Sequence, residues 1–176
     1  FYPGYGITTV RDGGGDIPEA ILAWREEIAA GTRVGPRIYT PLRKLDGADG
    51  FWPGSIPVTE AGQVGPALDT LEAGGADFIK LYESEMSAEM YLALLRDSER
   101  RGLKTTGHMP FEAPFAEAIA AGLDGIEHSG YLFKAAAVNE AEVIAYVREL
   151  KQRGERPRGS AYLPQLMAGF DEEHAM

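Results

Sequence analysis

Two of the three histidines in this 176-residue chain close short β-rich runs. His108 ends Leu103-Lys-Thr-Thr-Gly-His108, and His128 ends Leu123-Asp-Gly-Ile-Glu-His128. An isolated histidine is usually structural or merely exposed. Two of them, each at the last position of a parallel strand, converge on one rim of a barrel, where imidazole is a natural zinc ligand. A third group is Lys80, in the otherwise apolar run Phe78-Ile79-Lys80-Leu81-Tyr82. Burying an ammonium without a partner is costly, and three solutions stand open. Lys80 pairs with a carboxylate such as Asp12 or Glu83, or it is a catalytic amine able to form a Schiff base, or CO₂ carboxylates it into an anionic oxygen ligand between two metals. The chain has no cysteine, which excludes disulfides and thiolate ligands. The third histidine, His174, lies in the acidic stretch Asp171-Glu-Glu-His174-Ala-Met176 and reads as a solvated residue.

Positioning these groups requires a repeated framework. Five β-rich runs, over 6–12, 37–41, 76–82, 103–108 and 123–128, alternate with helical patterns, and a weaker sixth run spans 161–166. The helical patterns cover Pro18–Ala30, Glu60–Ala73, Ala88–Arg101 after a Ser87 cap, Glu112–Ala121, and Glu140–Arg153 after Asn139, with Gly31, Gly74, Gly102, Gly122 and Gly154 as terminators. Strand–helix–strand alternation with short connections predicts parallel β-structure with right-handed crossovers. Ala-Gly-Gly-Ala-Asp77 and Ala-Ala-Gly-Leu-Asp124 are two copies of one device, a helix that stops on glycine and turns directly into a strand. The fold class is therefore α/β, a partial (β/α)8 barrel of the TIM type. Segment 42–58 reads as a loop at the C-terminal face, with Phe51 and Trp52 covering the barrel mouth or lining the substrate site.

The bulk properties narrow the partners. The composition is that of a globular domain, 44% hydrophobic and 25% charged. A net charge of -10 argues against nucleic acid. No apolar run approaches the roughly 20 residues of a membrane span. The chain opens Phe1-Tyr2-Pro3-Gly4, with neither an initiator methionine nor a signal peptide, which predicts a fragment and leaves localisation open. Gly13-Gly-Gly15 is not a phosphate loop, since the Lys-Ser/Thr that follows one is absent.

Taken together, Gly6-Ile-Thr-Thr-Val-Arg-Asp-Gly-Gly-Gly15, Gly35-Pro-Arg37, Gly75-Ala-Asp-Phe-Ile-Lys80, Gly107-His108 and Gly125-Ile-Glu-His128-Ser resemble the amidohydrolase superfamily, in its imidazolonepropionase-like and prolidase-like branch. The resemblance runs to about Leu132. It implies a hydrolase of C–N bonds in a small amide, cyclic amide or dipeptide. Lys80 would be the carboxylated lysine bridging two divalent metals, usually zinc, and His108 and His128 would be ligands of the second metal. A bridging hydroxide would attack a carbonyl polarised by the metal.

The family's strand-one His-x-His pair and the Asp after strand eight have no counterpart here. The chain is therefore expected to be one catalytic-barrel domain over 1–176 carrying strands two to seven, with 167–176 as a flexible acidic tail. Two functional rivals follow: an incomplete barrel without turnover, whose exposed strand edges would drive association with a second copy or a partner, and a Schiff-base lysine enzyme. Arg11 and Asp12 end a strand at the same rim and either orient ligand or substrate or pair with each other. Tyr131 faces the substrate or the rim, and Glu127 is expected to point away from the site by strand alternation.

Overall fold

A computed structural model describes residues 1–15, 17–83, 86–155 and 159–173. The elements follow in order: β1 (Thr9–Arg11), α1 (Pro18–Ala29), β2 (Arg37–Tyr39), β3 (Lys44–Asp46), β4 (Ile56–Pro57), α2 (Ala61–Ala73), β5 (Ile79–Leu81), α3 (Ala88–Arg101), β6 (Thr105–Gly107), α4 (Phe115–Ala120), β7 (Gly125–Ile126), α5 (Leu132–Ala135), α6 (Glu140–Gln152) and α7 (Gly159–Ala168). All strand pairings within the two sheets are parallel. One sheet is β1–β2 and the other runs β4–β3–β5–β6–β7. Helices α1, α2, α3 and α4 carry the chain from β1 to β2, β4 to β5, β5 to β6 and β6 to β7, as parallel strands usually require, while β3 and β4 are joined by residues 47–55 without a helix. This is part of a (β/α) barrel, as the alternating pattern predicts.

Segment 42–58 departs from its expected loop. Leu42, with φ 62°, breaks what would be one long strand after Tyr39. The first half, β2, pairs with β1, and the second half, β3, pairs with β5 (Leu45 opposite Leu81) and with β4. The break was hidden in sequence because Thr40-Pro-Leu-Arg-Lys44 contains no glycine to mark it. Phe51 and Trp52 project from the turn between β3 and β4, partly exposed.

Alternation along the strands separates two faces. Leu45, Ile79 and Leu81 are fully buried in one apolar cluster with Leu68 and Leu71 of α2 and Tyr91, Leu94 and Leu95 of α3. The other face carries a polar row across four strands, with Lys44 opposite Lys80, Lys80 opposite Thr106, and Thr106 opposite Gly125. Helix caps work as the sequence suggests at two ends. Ser87 accepts the Met90 N–H at 3.2 Å, and Gly102 closes α3 in the left-handed conformation at φ 72°. Asn139 does not cap α6; its amide donates to the Gln165 carbonyl at 2.9 Å and ties α6 to α7 instead.

The two copies of the glycine–aspartate device act alike. Asp77 accepts the Thr40 backbone N–H at 2.8 Å, and Asp124 accepts the Thr105 N–H at 2.9 Å. Each aspartate thus reaches sideways and pins the strand that precedes it in the barrel. Arg25 at 2.9 Å holds Asp77 in turn, and Lys104 at 2.7 Å holds Asp124.

The run 161–166, read as a strand, is helical and lies within α7. Its apolar residues Tyr162, Leu163 and Leu166 stand one and four apart, a helical spacing, and pack with Val143 of α6 and Phe111. Of the segment 167–176, residues to Ala168 continue α7, Phe170 bridges Ala137, and the Asp171 N–H donates to the Ala136 carbonyl at 2.8 Å. His174 lies outside the described residues. Among the described residues, no helix is long and apolar enough to cross a membrane.

Gly107 is required where β5 and β6 meet. Its φ is 148°, and a Cβ there would stand 2.0 Å from the Leu81 carbonyl oxygen, which is backbone and has no room to yield. Gly107→Ala is expected to cost at least about 3 kcal/mol, combining forbidden backbone with overpacking, and a urea melt followed by circular dichroism measures it. A second expectation concerns acid. Burial alone would raise the Asp124 carboxyl, but Lys104 and the Thr105 N–H hold it below its usual value. A depressed carboxylate stabilises the fold above the unfolded value and loses that contribution as pH falls. Asp124→Asn should therefore cost about 1 kcal/mol at neutral pH, limited by solvent exposure of the ion pair. The gap between mutant and native urea midpoints should close as pH falls through the depressed Asp124 value, below the ordinary carboxylate range.

Candidate active site

Lys80 occupies the middle of β5 on the polar face and is buried. Its partner is neither Asp12 nor Glu83 but Glu127, with Nζ 3.2 Å from Oε1. The same carboxylate oxygen accepts from Arg11 at 2.6 Å and from the Thr106 hydroxyl at 3.3 Å. Burial pushes the Lys80 ammonium below its ordinary value; Glu127 opposes this, while Arg11 and Lys44 add to it. Burial would also raise Glu127, but Lys80 and Arg11 together hold it below the usual carboxylate value.

Strand alternation holds at Glu127: Gly125, two residues earlier, lies opposite Thr106 in the polar row, and the Glu127 N–H continues the ladder to the Gly107 carbonyl at 2.8 Å. It fails at His128, which adopts φ 66° and ψ 123°, outside any strand. Glu127, expected to point away because His128 was taken as the inward residue, therefore faces Lys80. The Arg11–Asp12 pair is likewise not formed; Arg11 takes Glu127, and Asp12 accepts the Thr40 hydroxyl at 2.8 Å. Arg11 on β1 and Glu127 beyond β7 join the two ends of the strand series.

His108 follows β6 directly, its backbone N–H donating to the Leu81 carbonyl at 3.1 Å. Its ring is tilted against Tyr82, with centroids 4.2 Å apart, and meets the His128 ring edge to face at 4.7 Å. The two Nε2 atoms stand 3.1 Å apart. On the opposite side of the His108 ring, Nδ1 lies 2.6 Å from Glu83 Oε2, and both atoms are shielded from solvent. Glu83 Oε1 accepts the Tyr131 hydroxyl at 3.1 Å. Burial and the Glu83 charge push the Tyr131 phenol well up.

Lys80, His108 and His128 line one open cavity of about 410 Å³, together with Lys44, Tyr82 and Trp52. Lys44 donates to the Gly14 carbonyl and sits over the Trp52 ring, 4.9 Å from its centroid. Tyr131 is not in that lining. With Glu83, Met109, Phe111 and Tyr162 it walls a neighbouring cavity of about 420 Å³ on the far side of His108. Arg11 faces a different hollow, beside Phe78, Thr106 and Asp124. The sequence reading missed Glu127, which its proximity to His128 could have flagged, and the placement of Lys44, which the hidden strand break obscured.

Chemically, the rim offers two imidazole nitrogens facing one another, backed by a carboxylate, beside a desolvated lysine. Two nitrogens bound to one tetrahedral zinc at about 2.0–2.1 Å stand roughly 3.3 Å apart, close to the observed spacing. Among the described residues, no cluster of three or more His, Cys, Asp or Glu is arranged to hold a metal.

No family model matches the sequence, and no curated protein does. Solved structures do match its fold. They include bottromycin amidohydrolase (TM-score 0.63, 24% identity, 84% of this chain and 36% of that one). A prolidase complexed with N-methylphosphonate-L-proline matches at TM-score 0.59 and 18% identity, over 99% of this chain and 53% of that one. A Xaa-Pro dipeptidase with methionine bound in its active site matches at TM-score 0.55 and 19% identity, over 92% and 49%. The chain thus has an amidohydrolase-like barrel fold and spans between about a third and a half of the length of these structures.

The Lys80–Glu127 pair gives a direct test. Glu127→Gln leaves a buried ammonium short of its anion and should destabilise by about 2 kcal/mol, less than a fully buried pair because Glu127 is partly solvated. Lys80→Met in the same background should restore part of that loss. A double-mutant cycle on urea midpoints reads the coupling.

Proposed function

We propose that this chain carries part of the active site of a metal-dependent hydrolase acting on C–N bonds of a small amide or dipeptide. The observation that carries the reading is the His108–His128 pair, whose Nε2 atoms face each other at 3.1 Å on the rim where such barrels hold their chemistry. The amide- and peptide-cleaving names of the structural neighbours favour the same reaction class. His108 and His128 would hold a divalent metal, zinc by preference of the imidazole donors. The bound ion would polarise the scissile carbonyl and supply a nucleophile at neutral pH.

Lys80 is the proposed third ligand in carboxylated form. Its depressed basicity favours the neutral amine that reacts with CO₂, and Arg11 would remain to balance the new anion beside Glu127. Tyr131 is proposed to contact substrate from the neighbouring cavity, and Arg11 to orient the Lys80–Glu127 end of the site.

A second reading is a barrel that keeps the fold and binds metal without turnover. It is favoured by the lack, among the described residues, of a third ready-made donor beside the two imidazoles. Dialysis against Zn²⁺ followed by elemental analysis, and hydrolysis assays on Xaa-Pro dipeptides and N-acyl amino acids, separate the readings. Zinc retention that falls at least tenfold in His108→Ala and His128→Ala, with zinc-dependent cleavage, is the expected result. Retention without cleavage selects the second reading, and no retention overturns both. In ¹³C-bicarbonate, a carbamate resonance lost in Lys80→Met checks the carboxylation.

A further inference from the structure

The cavity on the far side of His108 carries a charge that the roles assigned above leave unused. Three charged side chains line this space of about 420 Å³: Glu83, Lys151 and Glu155. Lys151 pairs with Glu112, and Glu155 accepts from Arg153 Nε at 3.0 Å. Glu83 has no such answer. Its Oε1 accepts the Tyr131 hydroxyl at 3.1 Å, and its Oε2 lies against the His108 ring without a hydrogen bond. Among the described residues, no lysine or arginine stands within ion-pair distance of it. Its field reaches the phenols around it: burial raises Tyr131 and Tyr162 first, and the Glu83 charge raises both further.

Aromatic rings supply much of the remaining wall. Tyr131 and Tyr162 line the cavity with Phe111, whose ring centroid is 4.0 Å from that of Tyr162. The same cluster already holds one ammonium: Lys134 Nζ stands 4.8 Å from the Phe111 centroid. A carboxylate beside aromatic rings suits an organic ammonium ion. The rings attract the cation through their quadrupoles, and the carboxylate gives a charge-assisted hydrogen bond. An anion would be repelled, and a neutral ligand would leave the Glu83 charge unanswered. We infer that this cavity binds an ammonium group of the substrate, with Glu83 as counter-ion and the Tyr131 and Tyr162 rings as its walls. Met109 follows His108 directly and Tyr131 stands three residues after His128, so the bound ammonium lies beside the imidazole pair. The substrate class is thereby narrowed to amides or dipeptides that carry a free amine, in preference to their N-acylated forms. That consequence rests on the hydrolase reading; the binding of an ammonium does not.

The test titrates the metal-free 176-residue chain with benzylammonium and with its neutral counterpart, benzyl alcohol, following the ring resonances of Tyr131 and Tyr162 by NMR. The ammonium should bind roughly tenfold more tightly than the alcohol, or better. Glu83→Gln, which keeps the shape and removes the charge, should erase that difference. Tyr162→Leu should weaken the ammonium about three- to fivefold. A thermal melt confirms that each variant is folded, and the two probes on the native chain decide the matter even where a variant is not. Equal binding of the two probes, binding of neither, or a preference that survives in Glu83→Gln overturns the inference. Displacement of benzylammonium by Ala-Pro assigns the cavity to an α-ammonium, and displacement by N-acetyl-Lys-Pro assigns it to a basic side chain. N-acetyl-Ala-Pro displacing it as well as either one overturns the inference. Ammonium binding by a chain that retains no zinc keeps the cavity assignment and sinks the hydrolase reading. Zinc-dependent cleavage without ammonium preference does the reverse, so the two failures are distinguishable.

Discussion

A cation in the middle of an apolar strand is the constraint around which this molecule is arranged. Lys80 shares β5 with Ile79 and Leu81, both fully buried, and its ammonium has to find an anion on the barrel's inner side. Glu127 provides it from a neighbouring strand end, and the same oxygen gathers Arg11 and Thr106. One carboxylate oxygen therefore links β1, β5, β6 and the segment after β7. Glu127 keeps the inward side that Gly125 sets, and the backbone turns at the next residue, where His128, with a positive φ of 66°, swings its ring toward His108. Charge satisfaction and site assembly are one local event.

The framework was legible in sequence where period and punctuation agreed. Three of the helices crossing between strands were marked by apolar spacing and terminal glycines, and Lys80, His108 and His128 were expected at one rim, the histidines from their strand-end contexts and Lys80 from its place inside an apolar strand. What escaped notice was whatever depended on a break in regularity. Leu42 interrupts a strand without a glycine to announce it, so β3 and Lys44 were read as loop. Residues 161–166 have β-forming types but helical spacing, and packing against α6 decides between them. Glu127 was assigned to the wrong face because His128 was taken as the inward residue, whereas alternation runs unbroken from Gly125 to Glu127 and breaks only at His128. In each case a tertiary contact outweighs a local preference, and a single sequence does not display such contacts.

The site itself is asymmetric. His108 is half-buried, its ring tilted against Tyr82 and its Nδ1 2.6 Å from Glu83, while His128 is exposed and contacts the site mainly through His108. His108 lines one cavity with Lys44, Lys80 and Trp52, and Glu83, in contact with His108, lines the other with Phe111, Tyr131, Tyr162 and Lys151.

The paired aspartates at the strand entrances have a further consequence. Asp77 and Asp124 each fasten their own strand to the backbone of the one before it. Register is thereby settled between neighbours, two at a time, with no need for the first strand to meet the last. Such an architecture behaves in part like a linear array of repeats, in which cohesion accumulates unit by unit along the chain. Ring closure then becomes a matter of assembling chemistry at the rim, separate from the question of whether the individual units hold their shape.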